Sequence, residues 1–173
     1  MKSVTTRKAH TDFASKTTEV VIETPKGSRN KLAYEPSRRM YKLSKILAEG
    51  MSFPYDFGFV PGTRADDGDP VDVLVLTDAA LFPGCLLDCI LIGVIELEQQ
   101  EGKKMVRNDR LIGVASESIA YSEVRDIGQL NSVVLRQIEA FFMNYQKLRD
   151  VRVKIVGRRG PEKAWALLRR SKR

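Results

Sequence analysis

The sequence predicts a mainly β protein with flanking helices (α+β), built as one domain around an antiparallel barrel. Three observations carry this. Short β-rich runs, VDVLVLTD (71–78), CLLDCILIGVIELE (85–98) and RLIGVASES (110–118), follow one another across turn or charged segments. No helix-length spacer separates them, so the βαβ pattern of a parallel sheet is missing. Only two stretches carry a clear helical period.

The 173 residues suit a single domain of about 100–200 residues. With 43% hydrophobic and 29% charged residues, the composition excludes a chain disordered throughout. Residues 1–18 lack an apolar period and read as a flexible or loosely docked tail. The domain is expected to start near Glu19 and run to Arg173. EVVIETP, the turn residues PKGSRN and then KLAYE suggest a hairpin placing Lys31, Ala33 and Glu35 on one face. FPYDFGFVPGT (53–63) interleaves aromatics with Gly and Pro, which suits short strands and tight bends. Its residues Phe53, Tyr55, Phe57 and Phe59 read as core packing rather than a base-stacking platform.

After the strands, NSVVLRQIEAFFMNYQKLRD (131–150) spaces Val134, Ile138, Phe141, Tyr145 and Leu148 by three and four, giving one apolar stripe. PEKAWALLRR (161–170) begins with Pro161 in the tolerated first turn and turns Trp165 and Leu168 inward.

No apolar run approaches the roughly 18 residues needed to span a bilayer, and the polar start holds no signal-peptide core. A cytoplasmic protein without membrane contact is expected. Cys85 and Cys89 fall on one strand with Cα atoms about 13 Å apart, too far for a disulfide. With His10 far away they make a poor zinc set. The net charge of +7 lies wholly in the last segment: Arg152–Arg173 holds nine Lys/Arg and one Glu, leaving 20 basic and 21 acidic residues before it. Such a stretch reads first as a solvated surface, and a nucleic-acid partner is disfavoured.

The densest chemical signal is Asp66, Asp67, Asp69 and Asp72, four carboxylates within seven residues. Gly68 permits a tight turn that aims Asp67 and Asp69 at one centre, and Asp72 can join from the strand that follows. Oxygen donors of this kind suit a hard cation such as magnesium. An EF-hand fails on spacing, because counting from Asp67 puts Val71, Asp72 and Asp78 at its fifth, sixth and twelfth positions. An acidic turn capping a strand is the plainer alternative. Against it, Asp72 interrupts the apolar run PVDVLVL, where a carboxylate needs a metal or a basic partner.

Here the sequence resembles the soluble family I inorganic pyrophosphatases, whose D-x-D-P-x-D signature reads Asp67-Gly68-Asp69-Pro70-Val71-Asp72, followed by apolar Val73. VVIETPKGSRNK, FPYDFGFVPGT, LFPGCLLDCILIGVIELE, RLIGVA and IEAFFMNYQKL also fall in family order, over roughly residues 19–150. The resemblance implies an OB-like five-stranded antiparallel barrel and hydrolysis of pyrophosphate by a magnesium-activated water. It implies Asp67, Asp69 and Asp72 as metal ligands or water activators, with Glu23 beside them. Lys31, Lys45, Arg110 and Tyr145 would contact the substrate phosphates. A homo-oligomer, commonly a hexamer in bacterial members, is implied as well.

Chemical positions depart from the family pattern. Ala33 stands for a glutamate, Lys45 for an arginine and Phe57 for a tyrosine. Gln99 and Asn108 stand for two metal-binding aspartates in the segment ELEQQEGKKMVRNDRLIGV, and Gln146 for a lysine. Glu35, Glu98, Glu101, Asp109 and Lys147 are the neighbouring replacements, each displaced along a strand or rotated about 100° around a helix. Three acids and one cation fewer leave the site less negative by two charges, so fewer or weaker metals, or a scaffold that binds without turnover, are also expected.

Overall fold

The computed structural model describes residues 8–147 and 150–171. In chain order these form β1 (Thr11–Asp12), β2 (Thr17–Thr24), β3 (Asn30–Glu35), β4 (Met40–Ile46), β5 (Asp56–Phe59), β6 (Asp72–Leu76), β7 (Leu86–Glu101), β8 (Lys104–Arg107) and β9 (Arg110–Ala115). A 3-10 turn at Ile127–Gln129, α1 (Ser132–Lys147), β10 (Val153–Arg159) and α2 (Pro161–Ser171) complete the chain.

Strands β2, β5, β6, β9 and β7 pair in that order, and β7 returns to β2, so a ring of five strands closes. Closure removes the sheet edges these strands would otherwise expose. The 16-residue β7 makes it feasible. Its first residues pair with β2, its middle with β9, and its far end with β10 and β8. A register shift between Leu91 and Gly93 lies where the strand must bend.

The mainly β architecture with two helices is as expected, but the barrel is not antiparallel throughout. β6 and β9 run parallel, Val73 lying beside Leu111 and Leu76 beside Val114. The chain crosses the ring through β7 and β8 before returning in the original direction, and no local pattern specifies which edge it rejoins. The hairpin expected from residues 19–35 is also corrected. β2 joins the ring, whereas β3 pairs with β4 in a separate two-stranded sheet. One link between β2 and β3 is Thr24 Oγ1, which accepts from Leu32 N–H and donates to Leu32 C=O, both at 3.0 Å.

Residues 11–12, assigned by sequence to the tail, pair with residues 17–18 of β2. Phe13 packs edge-on against Trp165 at 5.7 Å.

β6 is buried on both faces, which is why it reads as a continuous apolar run. Leu74 and Leu76 join the core under α1 with Ile138, Phe141 and Phe142, while Val73 and Val75 join the core under α2 with Ala164, Trp165 and Leu168. Asp72 is one period-2 step from Leu74, which puts it on the α1 side. Leu148, expected on the α1 stripe, lies outside the described residues. Cys85 and Cys89 are free thiols, and burial pushes the Cys89 thiol up. Among the described residues no helix is long and apolar enough to cross a membrane.

Candidate active site

The turn before β6 is shaped by backbone hydrogen bonds: Ala65 N–H to Asp69 C=O at 2.7 Å and Gly68 N–H to Ala65 C=O at 3.0 Å. Gly68 sits at φ +92°, a conformation side chains rarely adopt, and this lets the chain reverse between the two aspartates. Asp69 N–H donates to Asp67 Oδ1 at 3.1 Å. Asp67 and Asp69 are exposed, while Asp72, opening β6 opposite Phe59, is half-buried.

Asp72 has the partner its apolar surroundings demand. Arg110, which opens β9, places Nη1 2.6 Å from Asp72 Oδ2, with the two side chains 11% and 23% exposed. The same Nη1 donates to Asn108 Oδ1. The guanidinium also lies 6.0 Å from the centre of the Phe142 ring.

Glu23, from β2, faces this group and accepts from Tyr34 N–H at 2.7 Å. Burial, opposed by that hydrogen bond and by Lys31 but aided by Asp72 and Asp69, pushes its carboxyl up to about 7. Burial likewise raises Asp67, the Asp69 N–H and Arg110 oppose the rise, and the Asp69 and Asp72 charges add to it. These acids feel one another's charge, which is the condition a cation relieves.

Cations lie beside the acids. Lys31 and Lys45 are direct cross-strand partners in the β3–β4 sheet. Like charges so placed repel unless something negative or polarisable lies between them. The Tyr145 ring partly meets this need, with the ammonium groups 5.8 Å and 5.5 Å from its centre. Lys31 also lies 5.2 Å from the centre of the Phe57 ring. Tyr145 is 7% exposed, stacked on Phe141 at 5.8 Å, and its hydroxyl has no hydrogen-bond partner among the described residues. It is thus a core residue that presents an unsatisfied polar tip.

Lys31, Gln99, Arg110, Tyr145 and Gln146 line a narrow cavity of about 30 Å³ floored by Phe53, Phe57 and Phe141. Tyr145 separates it from a wider cleft of about 360 Å³ lined by Arg29 and Lys45. Arg29 was not singled out by sequence; its place beside Lys45 depends on donation from its Nε to Leu47 C=O at 2.7 Å, a contact with no local sequence signature.

The replacement residues divide clearly. Asp109 is turned away: its Oδ1 accepts from Leu97 N–H at 3.1 Å and sits 2.8 Å from Arg107 Nη2, so it does not serve in place of Asn108. Glu35 binds Ser37, whose hydroxyl and N–H hold its carboxyl below the usual range. Glu101 accepts from Gln99 Nε2 at 3.2 Å near the exposed end of β7. Gln99 and Gln146 instead meet each other, Gln146 Nε2 donating to Gln99 Oε1 at 3.3 Å.

The family model described as inorganic pyrophosphatase matches residues 20–173. The inorganic pyrophosphatase of Geobacillus stearothermophilus is 37% identical over 156 residues, covering 90% of this chain and 92% of the relative. The crystal structure of inorganic pyrophosphatase from Thermus thermophilus superposes with a TM-score of 0.88 at 32% identity, covering 96% of this chain and 95% of that one. The chain belongs to the inorganic pyrophosphatase family. A Helicobacter pylori inorganic pyrophosphatase is also similar, with a TM-score of 0.86 at 30% identity, over 95% of this chain and 96% of that one.

Within this family framework, the donor set decides which cation the site suits. Among the described residues no three His, Cys, Asp or Glu side chains converge into a cage for a metal. Magnesium does not require one: it keeps several waters and uses one or two carboxylates together with substrate phosphates. The aspartates at 67, 69 and 72 fit that mode on one side of the site.

Proposed function

We propose that this protein hydrolyses inorganic pyrophosphate to two phosphates. The observation that carries the reading is the meeting of two charge sets: Asp72 pairs with Arg110 at 2.6 Å and Lys31 acts on Glu23, while Lys31 and Lys45 both lie against the Tyr145 ring. A phosphoanhydride bridged by a divalent cation has the charge pattern to sit between them.

Asp67, Asp69 and Asp72 would hold magnesium, which when bound acidifies water and polarises a phosphoryl oxygen. Lys31, Lys45 and Arg110 would hold the phosphate oxygens and orient the chain of atoms for in-line displacement. The Tyr145 hydroxyl supplies one more donor from a rigid aromatic base. In the reaction the water oxygen bonds to one phosphorus, the bridging P–O bond breaks, and the leaving phosphate takes the bridging oxygen and its electron pair. Glu23, beside the acids and with its carboxyl near 7, is suited to exchange a proton in neutral solution.

A second reading, binding of pyrophosphate without turnover, is favoured by the neutral residues Gln99, Asn108 and Gln146. The two are separated by phosphate release from pyrophosphate with and without magnesium, using Asp72→Asn as control. Magnesium-dependent release that falls at least about 100-fold in Asp72→Asn supports hydrolysis. No release above the variant, with pyrophosphate retained by the wild-type chain, replaces it with the binding reading. The reading also includes a cytoplasmic homo-oligomer, a hexamer by resemblance. Sedimentation of the purified chain tests the assembly, and a monomer at micromolar concentration removes it.

A further inference from the structure

We infer that Gln146 makes this site select a phosphate group that carries a proton: its amide oxygen is a fixed acceptor in the narrow cavity, so the oxygen seated against it is a P–OH and not an ionised P–O. The inference rests on the proposed function only in taking the cavity's occupant to be a phosphate. The selection itself stands on hydrogen-bond polarity.

That polarity is set by a chain of contacts that starts at a carboxylate. Ionised Glu101 can only accept, so the Gln99 group that meets its Oε1 at 3.2 Å is the Nε2 amide. Gln99 therefore turns Oε1 the other way, and Gln146 Nε2 donates to it at 3.3 Å. What is left at position 146 is Oε1, which is buried and has no hydrogen-bond partner among the described residues. Turning the Gln146 amide over would set its oxygen against Gln99 Oε1. Turning both amides would set Gln99 Oε1 against the Glu101 carboxylate, and either arrangement opposes two acceptors. A buried acceptor without a donor is costly, so it demands a donor from whatever enters.

Gln99 and Gln146 line the narrow cavity together with Lys31, Arg110 and Tyr145. Its volume of about 30 Å³ has room for a few oxygen-sized groups, so one corner of a phosphate fits. Lys31 and Arg110 are donors only and attract any anion. The Tyr145 hydroxyl, also buried and unpartnered among the described residues, can donate or accept and so adapts to either form. Gln146 Oε1 is the group here that tells a protonated oxygen from an ionised one, because an ionised oxygen would meet the negative end of the amide dipole. A lysine at this position would supply donors only and favour the ionised oxygen. The amide thus reverses a preference as well as removing a charge.

Phosphate and sulfate separate these effects, because near pH 8 both are chiefly tetrahedral dianions of about the same size and only phosphate keeps a proton on oxygen. Each anion is titrated by calorimetry into the purified full chain in buffer containing magnesium. The equal charge cancels the attraction of Lys31, Lys45, Arg110 and magnesium and the repulsion of Glu23, Asp72 and Glu101, so the ratio of affinities reads the hydrogen bond. The wild-type chain is expected to bind phosphate at least about tenfold more tightly than sulfate. Gln146→Met, which keeps a long side chain without the acceptor, should bring the ratio to about one. Gln99→Leu, which frees the Gln146 amide to turn its donors toward the cavity, should lower the ratio in the same direction. Equal affinity for the two anions in the wild-type chain, no phosphate binding, or a ratio that survives in Gln146→Met overturns the inference. Should Gln146→Met lack a cooperative thermal transition, Gln99→Leu decides by the same comparison, and an unchanged ratio there overturns it. Phosphate release from pyrophosphate is measured separately: selection without release sinks the hydrolysis reading and leaves this one standing, and release with equal anion affinities does the reverse.

Discussion

Glu23 ties protonation to stability through its burial. The unfolded chain releases this proton near 4.5, the folded chain at about 7. Between those values the native state binds more protons than the unfolded state, so stability falls as pH rises through the window and the loss is complete above it. Glu23→Gln keeps an oxygen acceptor for Tyr34 N–H and removes the charge. Without added metal it should be about 2 kcal/mol more stable than wild type near pH 8 and about equal to it near pH 5. Urea unfolding of both chains across that range checks this, and parallel pH slopes would refute it. Sequence could flag Asp72, because a carboxylate inside PVDVLVL requires a partner. It could not name Arg110 as that partner, since the parallel β6–β9 joint creates the contact. Nor could it match Gln99 with Gln146, 47 positions apart on a strand and a helix.

Elements are legible where one face is buried against a core, and obscure where neither face is. The α2 pattern is read correctly because Trp165 and Leu168 fall on one side and Arg169 and Arg170 on the other. β4 escapes because it is mostly exposed, with Met40, Leu43 and Ile46 facing outward and no polar alternation to mark a strand. β10 escapes for a related reason: its charges, including Arg158 bound to Glu139 at 2.6 Å, hide the pairing to β7 inside a basic run. That basic segment is therefore partly an internal device, since Arg158, Arg159 and Lys163 face Glu139 or Glu96. Trp165 shows what α2 contributes. It is 3% exposed, packs with Phe13 and the second core, and its indole N–H has no hydrogen-bond partner among the described residues. Trp165→Ala should cost about 3–5 kcal/mol, whereas Trp165→Phe should cost less than half of that, because no hydrogen bond is lost. Equal losses in chemical denaturation of the two variants would mean the indole nitrogen has a role the packing does not explain.

At the scale of the whole molecule, the site is assembled from elements that meet only when the ring is closed. Glu23 comes from β2, Asp72 from β6, Arg110 from β9, and Lys31 and Lys45 from the separate β3–β4 sheet, with Tyr145 supplied by the helix over them. Unfolding separates all of these groups, so a cation bound among the acids stabilises the entire fold by linkage. At a free magnesium concentration about 100 times its dissociation constant, the gain is about 2.7 kcal/mol per site. For a chain of this length that corresponds to a rise in Tm of about 5–10 °C. Asp72→Asn should lose most of the rise. Calcium, which prefers more ligands at longer distance, should give a smaller shift than magnesium at equal concentration if few protein ligands are available. Thermal unfolding with each ion, in wild type and variant, measures this. A magnesium shift that persists undiminished in Asp72→Asn would locate the stabilising ion away from the acidic turn, and the cluster of Lys31, Lys45 and Arg110 beside the acids would then have to be explained by the substrate anion alone.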